Sequence, residues 1–109
     1  MEIKVNIKPL SANAAWQGRR FKTDAYHAFE SMMLLMLPKE KMILGPVSVH
    51  FDFYLKNALR TDVDNCIKTS LDCLVKRGYI EDDRRVFKIS AEKHKAEDDS
   101  ISIVISPCG

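Results

Sequence analysis

Apolar and polar residues alternate with a period of two in four stretches of the chain. The clearest stretch places Val47, Val49, Phe51, Phe53 and Leu55 on one side of the backbone. Similar alternation occurs at residues 3–7, 87–92 and 101–105. This period is typical of a β-strand with one buried face, so the pattern predicts four strands. We expect His50 and Asp52, on the polar side of the second strand, to face solvent without forming a site.

Two further segments show helical spacing. The first begins at Thr23 or Asp24, either of which can cap a helix, and ends before Pro38. We predict that its buried stripe is formed by Ala25, Phe29, Met32 and Met36. Other apolar residues, Tyr26, Met33, Leu34 and Leu37, lie off that stripe. The helix is therefore apolar around more of its circumference than one sheet covers, which indicates a second partner surface such as a homodimer contact.

The second helix is predicted from about Val63 to Arg77, with Gly78 just past its end. The element order is then β-α-β-α-β-β, with an ordered loop at residues 10–22 and a solvated hairpin connection at residues 93–99. This order predicts an α+β fold: a single two-layer domain over residues 1–109, in which two helices cover one face of a mixed sheet.

Composition narrows the class of protein. With 109 residues and 46% hydrophobic content, the chain can bury a core without disulfides or a structural metal. Its three cysteines are odd in number and lack paired zinc spacing, which suits a reduced cytoplasm. No apolar run approaches the length of a membrane span, so we expect a soluble cytoplasmic protein without a membrane partner.

A net charge of +2 does not by itself indicate nucleic acid. However, the predicted loop brings Arg19, Arg20 and Lys22 close to Trp16 and Phe21. Interleaved basic and aromatic residues suit phosphate contact and base stacking. A tryptophan that anchors the loop to its own core explains the pattern equally well.

The densest polar cluster lies where the second helix begins. Asp62 and Asp64 are separated by one residue, Lys68 follows one turn later, and Asp83 lies where the third strand starts. A few carboxylates and phosphate oxygens are typical ligands of Mg²⁺. Lys68 would then be placed to hold a scissile phosphate, to position a water or to stabilise charge in the transition state. The same aspartates also suit helix capping, so spacing alone leaves metal binding and a structural role equally open.

The pattern around this cluster resembles the RusA family of Holliday junction resolvases. The residues that carry the resemblance are Asp62, Asp64, Asn65, Lys68, Asp72, Gly78, Asp82, Asp83 and Val86, and, upstream, Pro9, Ser11, Asn13, a Gly-Arg loop and a tyrosine-containing helix. The resemblance covers most of the chain in order. Members of the RusA family are small phage-associated and bacterial endonucleases.

The resemblance implies a homodimeric, Mg²⁺-dependent endonuclease that cuts four-way DNA junctions by paired symmetric nicks during DNA recombination and repair. Asp62, Asp64 and Asp83 then match the metal-binding carboxylates and Lys68 the catalytic lysine, while Asp82 is able to exchange roles with Asp83. DNA-binding residues are expected among Arg19, Arg20, Lys22, Lys56 and Arg60. Mg²⁺ is the expected cofactor, and no small-molecule cofactor is expected.

Two alternatives accompany this hypothesis. One is a non-catalytic, dimeric nucleic-acid-binding module in which the acids are helix caps, and the other is a nuclease for other branched DNA. The chain also departs from the family in one respect. Members can carry a denser arginine run before the first aspartate, where this chain has only Arg60 and Thr61. Fewer phosphate contacts predict weaker binding that is lost at lower salt.

Overall fold

The computed structural model describes residues 1–17 and 21–108. Its strands and helices are, in chain order, β1 (Glu2–Val5), α1 (Ala12–Ala15), β2 (Trp16–Gln17), β3 (Phe21–Lys22), α2 (Asp24–Met36), β4 (Val47–Leu55), α3 (Val63–Arg77), β5 (Val86–Lys95) and β6 (Ser100–Pro107). Short 3₁₀ turns occur at Ala58–Arg60 and Asp83–Arg85. None of the helices in these ranges combines the length and the apolar character needed to cross a membrane.

The main sheet has four strands in the order β1-β6-β4-β5. Strand β5 is parallel to β4, whereas β6 is antiparallel to both β4 and β1. The predicted hairpin between the last two strands is therefore wrong, because β4 lies between them. The period-two pattern identifies strands but not their neighbours. Here the α3 crossover places β5 on one side of β4, and the chain returns on the other side as β6.

One face of this sheet forms the core. The five apolar residues of β4 are at most 3% exposed, and they pack with side chains from α2 and α3. The opposite face carries the half-buried polar residues of β4, among them His50 and Asp52. The predicted α+β architecture, a mixed sheet with helices on one face, is confirmed.

Helix α2 has the predicted bounds but a different buried face. Its first turn is capped by Thr23, whose hydroxyl accepts a hydrogen bond from the Tyr26 backbone N–H at 3.2 Å. The buried side chains of this segment are Tyr26, Phe29, Met33 and Leu37. The predicted stripe is wrong because a helix rich in methionine allows several apolar stripes. Of the predicted stripe, only Phe29 is buried, whereas Ala25, Met32 (48% exposed) and Met36 (38% exposed) face outwards. Leu35, which lies outside that stripe, is 81% exposed.

Helix α3 has the predicted bounds. Gly78 closes it at φ 94, a left-handed conformation that favours glycine. Cys66 and Cys73 are fully buried on its inner side. Burial raises the pKa of the Cys66 thiol to about 11 and that of Cys73 to about 12. Both thiols therefore act as apolar core groups.

The segment predicted as a loop at residues 10–22 contains the short helix α1 and an antiparallel ribbon of β2 and β3. The Thr69 hydroxyl donates to the Leu10 carbonyl oxygen at 2.6 Å and so ties the segment to α3. The ring of Trp16 lies 5.5 Å from the ring of Tyr26. Trp16 thus anchors the segment to its own core, as one of the two sequence interpretations requires.

Candidate active site

The loop before α3 is fixed by a residue from a distant strand. The Lys93 ammonium group, on β5, donates hydrogen bonds to the carbonyl oxygens of Ala58 at 2.7 Å and Thr61 at 3.0 Å. The Thr61 hydroxyl donates to the Asn57 carbonyl oxygen at 3.1 Å. These bonds fix the backbone immediately before Asp62, so Lys93 determines the conformation of the loop that enters α3. Sequence reasoning missed it, because its partners lie 35 and 32 residues away.

Asp62 and Asp64 lie at the amino end of α3 with exposed side chains. Asp62 occupies the N-cap position, but its side chain makes no capping hydrogen bond. Among residues 1–17 and 21–108, its Oδ2 accepts a single long hydrogen bond of 3.5 Å from the Asn65 side chain. Of the structural role that sequence left open, side-chain capping by Asp62 is absent from α3, whereas the favourable placement of charge at the helix start is present. Two carboxylates face solvent at the positive end of the helix dipole, where negative charge is favoured.

Lys68 lies one turn along α3 and belongs to a short series of hydrogen-bonded polar side chains. Its ammonium group donates to Asp72 Oδ1 at 2.9 Å, and the Tyr26 hydroxyl donates to Asp72 Oδ2 at 3.1 Å. Burial, and then the charge of Asp72, raise the pKa of Tyr26, which stays protonated. Lys68 and Asp72 thus form an ion pair at the i,i+4 spacing of a helix. Tyr26, which the sequence pattern indicates only as an apolar helix residue, holds Asp72 in place from the core.

Asp82 and Asp83 have different environments. Asp82 caps the turn Asp83–Arg85, and its Oδ1 accepts from the Arg84 backbone N–H at 2.9 Å. This bond is the largest cause that lowers the pKa of Asp82 to about 2. The Asp83 side chain is exposed. Because Asp82 is engaged in capping, Asp83 is the better placed of the two for an external ligand.

Among the described residues of one chain, Asp62, Asp64 and Asp83 do not form a group whose donor atoms all lie within 4.8 Å of one another. Asp83 lines a surface depression together with Asp72, Val75, Lys76 and Asp82. Asp64 precedes Asp72 by eight residues, which is about 12 Å along a helix axis. Among residues 1–17 and 21–108, the acidic and histidine groups close enough to share one ion are instead His50, Asp52 and Glu92.

Basic side chains surround the loop that leads into α3. Lys56, Arg60 and Lys95 line a depression with Asn57, Ala58 and Leu59. The Lys22 ammonium group lies 4.5 Å from the centre of the Tyr26 ring and 3.8 Å from a Glu30 oxygen. Arg19 and Arg20, also expected to bind DNA, lie outside the described residues. Lys95 was not anticipated from sequence, because it was assigned to a solvated connection.

The geometry therefore presents exposed carboxylates, a lysine one turn away and a basic depression at one end of the sheet. Comparison with family models finds a match to endodeoxyribonuclease RusA over residues 6–106. A search of curated proteins finds no match. The family match leaves only the first five and the last three residues of the chain uncovered. The chain belongs to the RusA endodeoxyribonuclease family, which points to a nuclease that resolves Holliday junctions.

Proposed function

We propose that this protein is a Mg²⁺-dependent endodeoxyribonuclease that resolves four-way DNA junctions by paired symmetric nicks in recombination and repair. The observation that carries the proposal is the exposed pair Asp62 and Asp64 at the start of α3, on a loop that Lys93 holds in place. The family match supplies the class of reaction. A carboxylate pair without capping bonds is available to an external cation, and this supports a catalytic role.

The donor set fits Mg²⁺. Both carboxylates are exposed, so an ion bound there keeps several waters and takes further oxygens from a DNA phosphate. Asp62, Asp64 and Asp83 would hold the ion, which when bound supplies Lewis-acid stabilisation of charge on the phosphate. The protein contributes ligand placement, because the hydrogen bonds of Lys93 fix the backbone before Asp62.

Lys68 is the proposed catalytic lysine. Its ammonium group is oriented by Asp72, which the buried Tyr26 hydroxyl fixes in turn. Lys68 is largely exposed, with 54% of its side chain accessible, so it is able to turn from Asp72 towards a phosphate. There it stabilises the negative charge that develops during hydrolysis. Asp72 and Tyr26 act through Lys68 and are positioning residues.

We further propose that two copies of the chain complete each site. In one chain, Asp83 lies beside Asp72 and Lys76, further along α3 than Asp64. A two-fold axis that places two copies of α3 antiparallel brings Asp83 of a second copy to the start of the first copy's helix. The exposed Met32, Leu35 and Met36 of α2 offer apolar surface for such a contact. Two related sites also match symmetric cleavage of a junction.

DNA binding is proposed for Lys22, Lys56 and Arg60, together with Arg19 and Arg20. Lys56 and Arg60 share a depression with Lys95 beside the loop that precedes Asp62. Phosphate contacts of this kind position DNA without reading its sequence. Recognition is therefore expected to depend on the branched shape of the DNA and on salt concentration.

The test compares the protein with its Asp62→Asn variant on a labelled four-way junction, a flap and a linear duplex, each with Mg²⁺ or with EDTA. We expect paired nicks in the junction that require both Mg²⁺ and Asp62. Equal cutting of the flap would reassign the substrate to branched DNA in general. Junction binding without cutting under any divalent metal would replace the enzyme with a non-catalytic binding module.

A further inference from the structure

The sheet face away from the helices carries a cluster of side chains of the types that bind metal ions, His50, Asp52 and Glu92. The parallel register of β4 and β5 pairs His50 with Ser90, Asp52 with Glu92 and Tyr54 with His94. Paired residues of neighbouring strands project from the same face of a sheet. Five polar side chains and one tyrosine thus converge on a small area that bridges the two strands.

Three donor atoms of this cluster already lie close together. His50 Nε2 is 3.2 Å from Asp52 Oδ2 and 3.9 Å from Glu92 Oε2. The donor atoms of these three residues all lie within 4.8 Å of one another. In a tetrahedral zinc site, where bonds are about 2.0–2.1 Å, donor atoms lie roughly 3.3 Å apart. Small rotations of the exposed Glu92 side chain are enough to reach that spacing.

Hydrogen bonds with neighbouring side chains orient two of the three donor residues, His50 and Asp52. His50 Nδ1 is 2.6 Å from Ser90 Oγ. In the tautomer with the proton on Nδ1, the Nδ1–H group donates a hydrogen bond to Ser90 Oγ and Nε2 is free to bind a metal. His94 Nε2 donates to Asp52 Oδ1 at 2.8 Å, so Asp52 Oδ2 remains for the metal. The ring of Tyr54 stacks on His94 at 4.8 Å. Supporting bonds to a histidine and a carboxylate are typical of metal sites.

We propose that His50, Asp52 and Glu92 form a binding site for one divalent transition-metal ion, with Zn²⁺ as the best match. One imidazole and two carboxylates balance a charge of +2, and imidazole favours zinc over magnesium. Three protein ligands leave a further position for water. The ion joins β4 to the edge strand β5, on the face opposite α3, and is separate from the site proposed at Asp62 and Asp64.

The experiment titrates metal-free protein with Zn²⁺ against a chromophoric chelator, in an excess of Mg²⁺ that occupies magnesium sites. Wild type is expected to bind one Zn²⁺ per chain. Glu92→Gln and His50→Gln should each weaken binding at least tenfold. Glu92 is 65% exposed, so its variant tests the site without disturbing the fold, and circular dichroism checks this.

Three matched variants locate the ion. His27→Gln removes an exposed histidine from α2, Cys108→Ser removes the partly accessible thiol, and Asp64→Asn removes a carboxylate of the proposed catalytic site. All three should bind Zn²⁺ as wild type does. Zn²⁺ should also raise the thermal midpoint of wild type and not that of Glu92→Gln. The proposal would be overturned if Glu92→Gln and His50→Gln bound Zn²⁺ with wild-type affinity. It would also be overturned if one of the three matched variants lost Zn²⁺ binding, or if wild type did not bind Zn²⁺ stoichiometrically.

Discussion

The ammonium group of Lys93 lies 3.0 Å from the carbonyl oxygen of Thr61, the residue directly before Asp62. The contact joins β5 to the start of α3 and is separate from the α3 core packing. A hydrogen bond from a charged donor to a carbonyl oxygen is stronger than one from a neutral donor. The proposed Mg²⁺ ligand Asp62 therefore depends on a strand, β5, that supplies no ligand of that site.

Lys93→Met should impair the enzyme without altering any proposed ligand. The change removes the donor to two carbonyl oxygens and should cost about 1–2 kcal/mol of unfolding free energy. Nuclease activity should fall tenfold or more because the backbone before Asp62 loosens. Urea unfolding and junction cleavage measure the two effects. Lys88→Met, an exposed lysine on the same strand, should change stability by less than about 0.5 kcal/mol. Equal behaviour of the two variants would remove Lys93 from its positioning role.

Mixing two inactive variants tests whether each site is shared between copies. Asp64→Asn and Asp83→Asn should each abolish cleavage as homodimers, while DNA binding persists because a negative charge near phosphate is lost. A heterodimer of the two variants regains one intact site if Asp83 comes from the second copy. It should therefore nick one strand of a junction.

Differently tagged copies, purified as heterodimers, provide the material for this measurement. If Asp83 serves the site of its own chain, both sites of the heterodimer are damaged and no nick forms. A monomer by sedimentation at micromolar concentration would contradict the shared site.

Replacing Arg19 and Arg20 together with alanine should weaken junction binding in a salt-dependent way. Loss of two phosphate contacts should reduce the slope of log affinity against log salt by about 2. The double variant Lys39→Ala with Lys41→Ala removes the same charge from an exposed segment between α2 and β4. Fluorescence anisotropy over a salt series compares them. Equal slopes for both double variants would assign the effect to overall charge.

Acid should reduce the stability contributed by Asp52. Its pKa is lowered from 3.8 chiefly by the hydrogen bond from His94; partial burial opposes this and His50 adds to it. A lowered folded pKa means that the stabilisation is present above about 3.8 and is lost as pH falls through the folded value. Glu92 also faces His50 from β5.

Asp52→Asn should therefore destabilise the protein more near neutral pH than below about pH 3. Urea unfolding followed by Trp16 fluorescence measures the difference at each pH. A difference that stays constant across this range would show that the two histidines do not act on Asp52.

Local sequence determined the elements better than it determined their partners. The alternation in β4, the cap Thr23 and the closing Gly78 each depend on a few adjacent residues, and those bounds are confirmed. The predicted buried face of α2 was wrong, because Met32 and Met33 are equally apolar and only packing in the fold decides which of them is buried. The ion pair of Lys68 with Asp72 was predictable from helical spacing, whereas the contact of Lys93 with Thr61 was not.

The cluster at His50 shows the same limit. His50 and Asp52 are visible as two polar residues of one strand, but Glu92 joins them through the parallel register. That register includes a shift between Val47 and Ser48, where β5 carries one extra residue. Sequence periodicity contains no information about such a shift, so the cluster could not be predicted.

Within the part of the chain that the structure describes, strand β5 pairs with β4 alone and forms an edge of the sheet. Its consecutive residues Glu92 and Lys93 point to opposite faces, one towards His50 and the other towards the loop before Asp62. A partial opening that detaches β5, with the rest of the core intact, separates both contacts at once. We therefore expect junction cleavage to be lost in a sub-global unfolding step, at a lower denaturant concentration than the one that unfolds the whole domain.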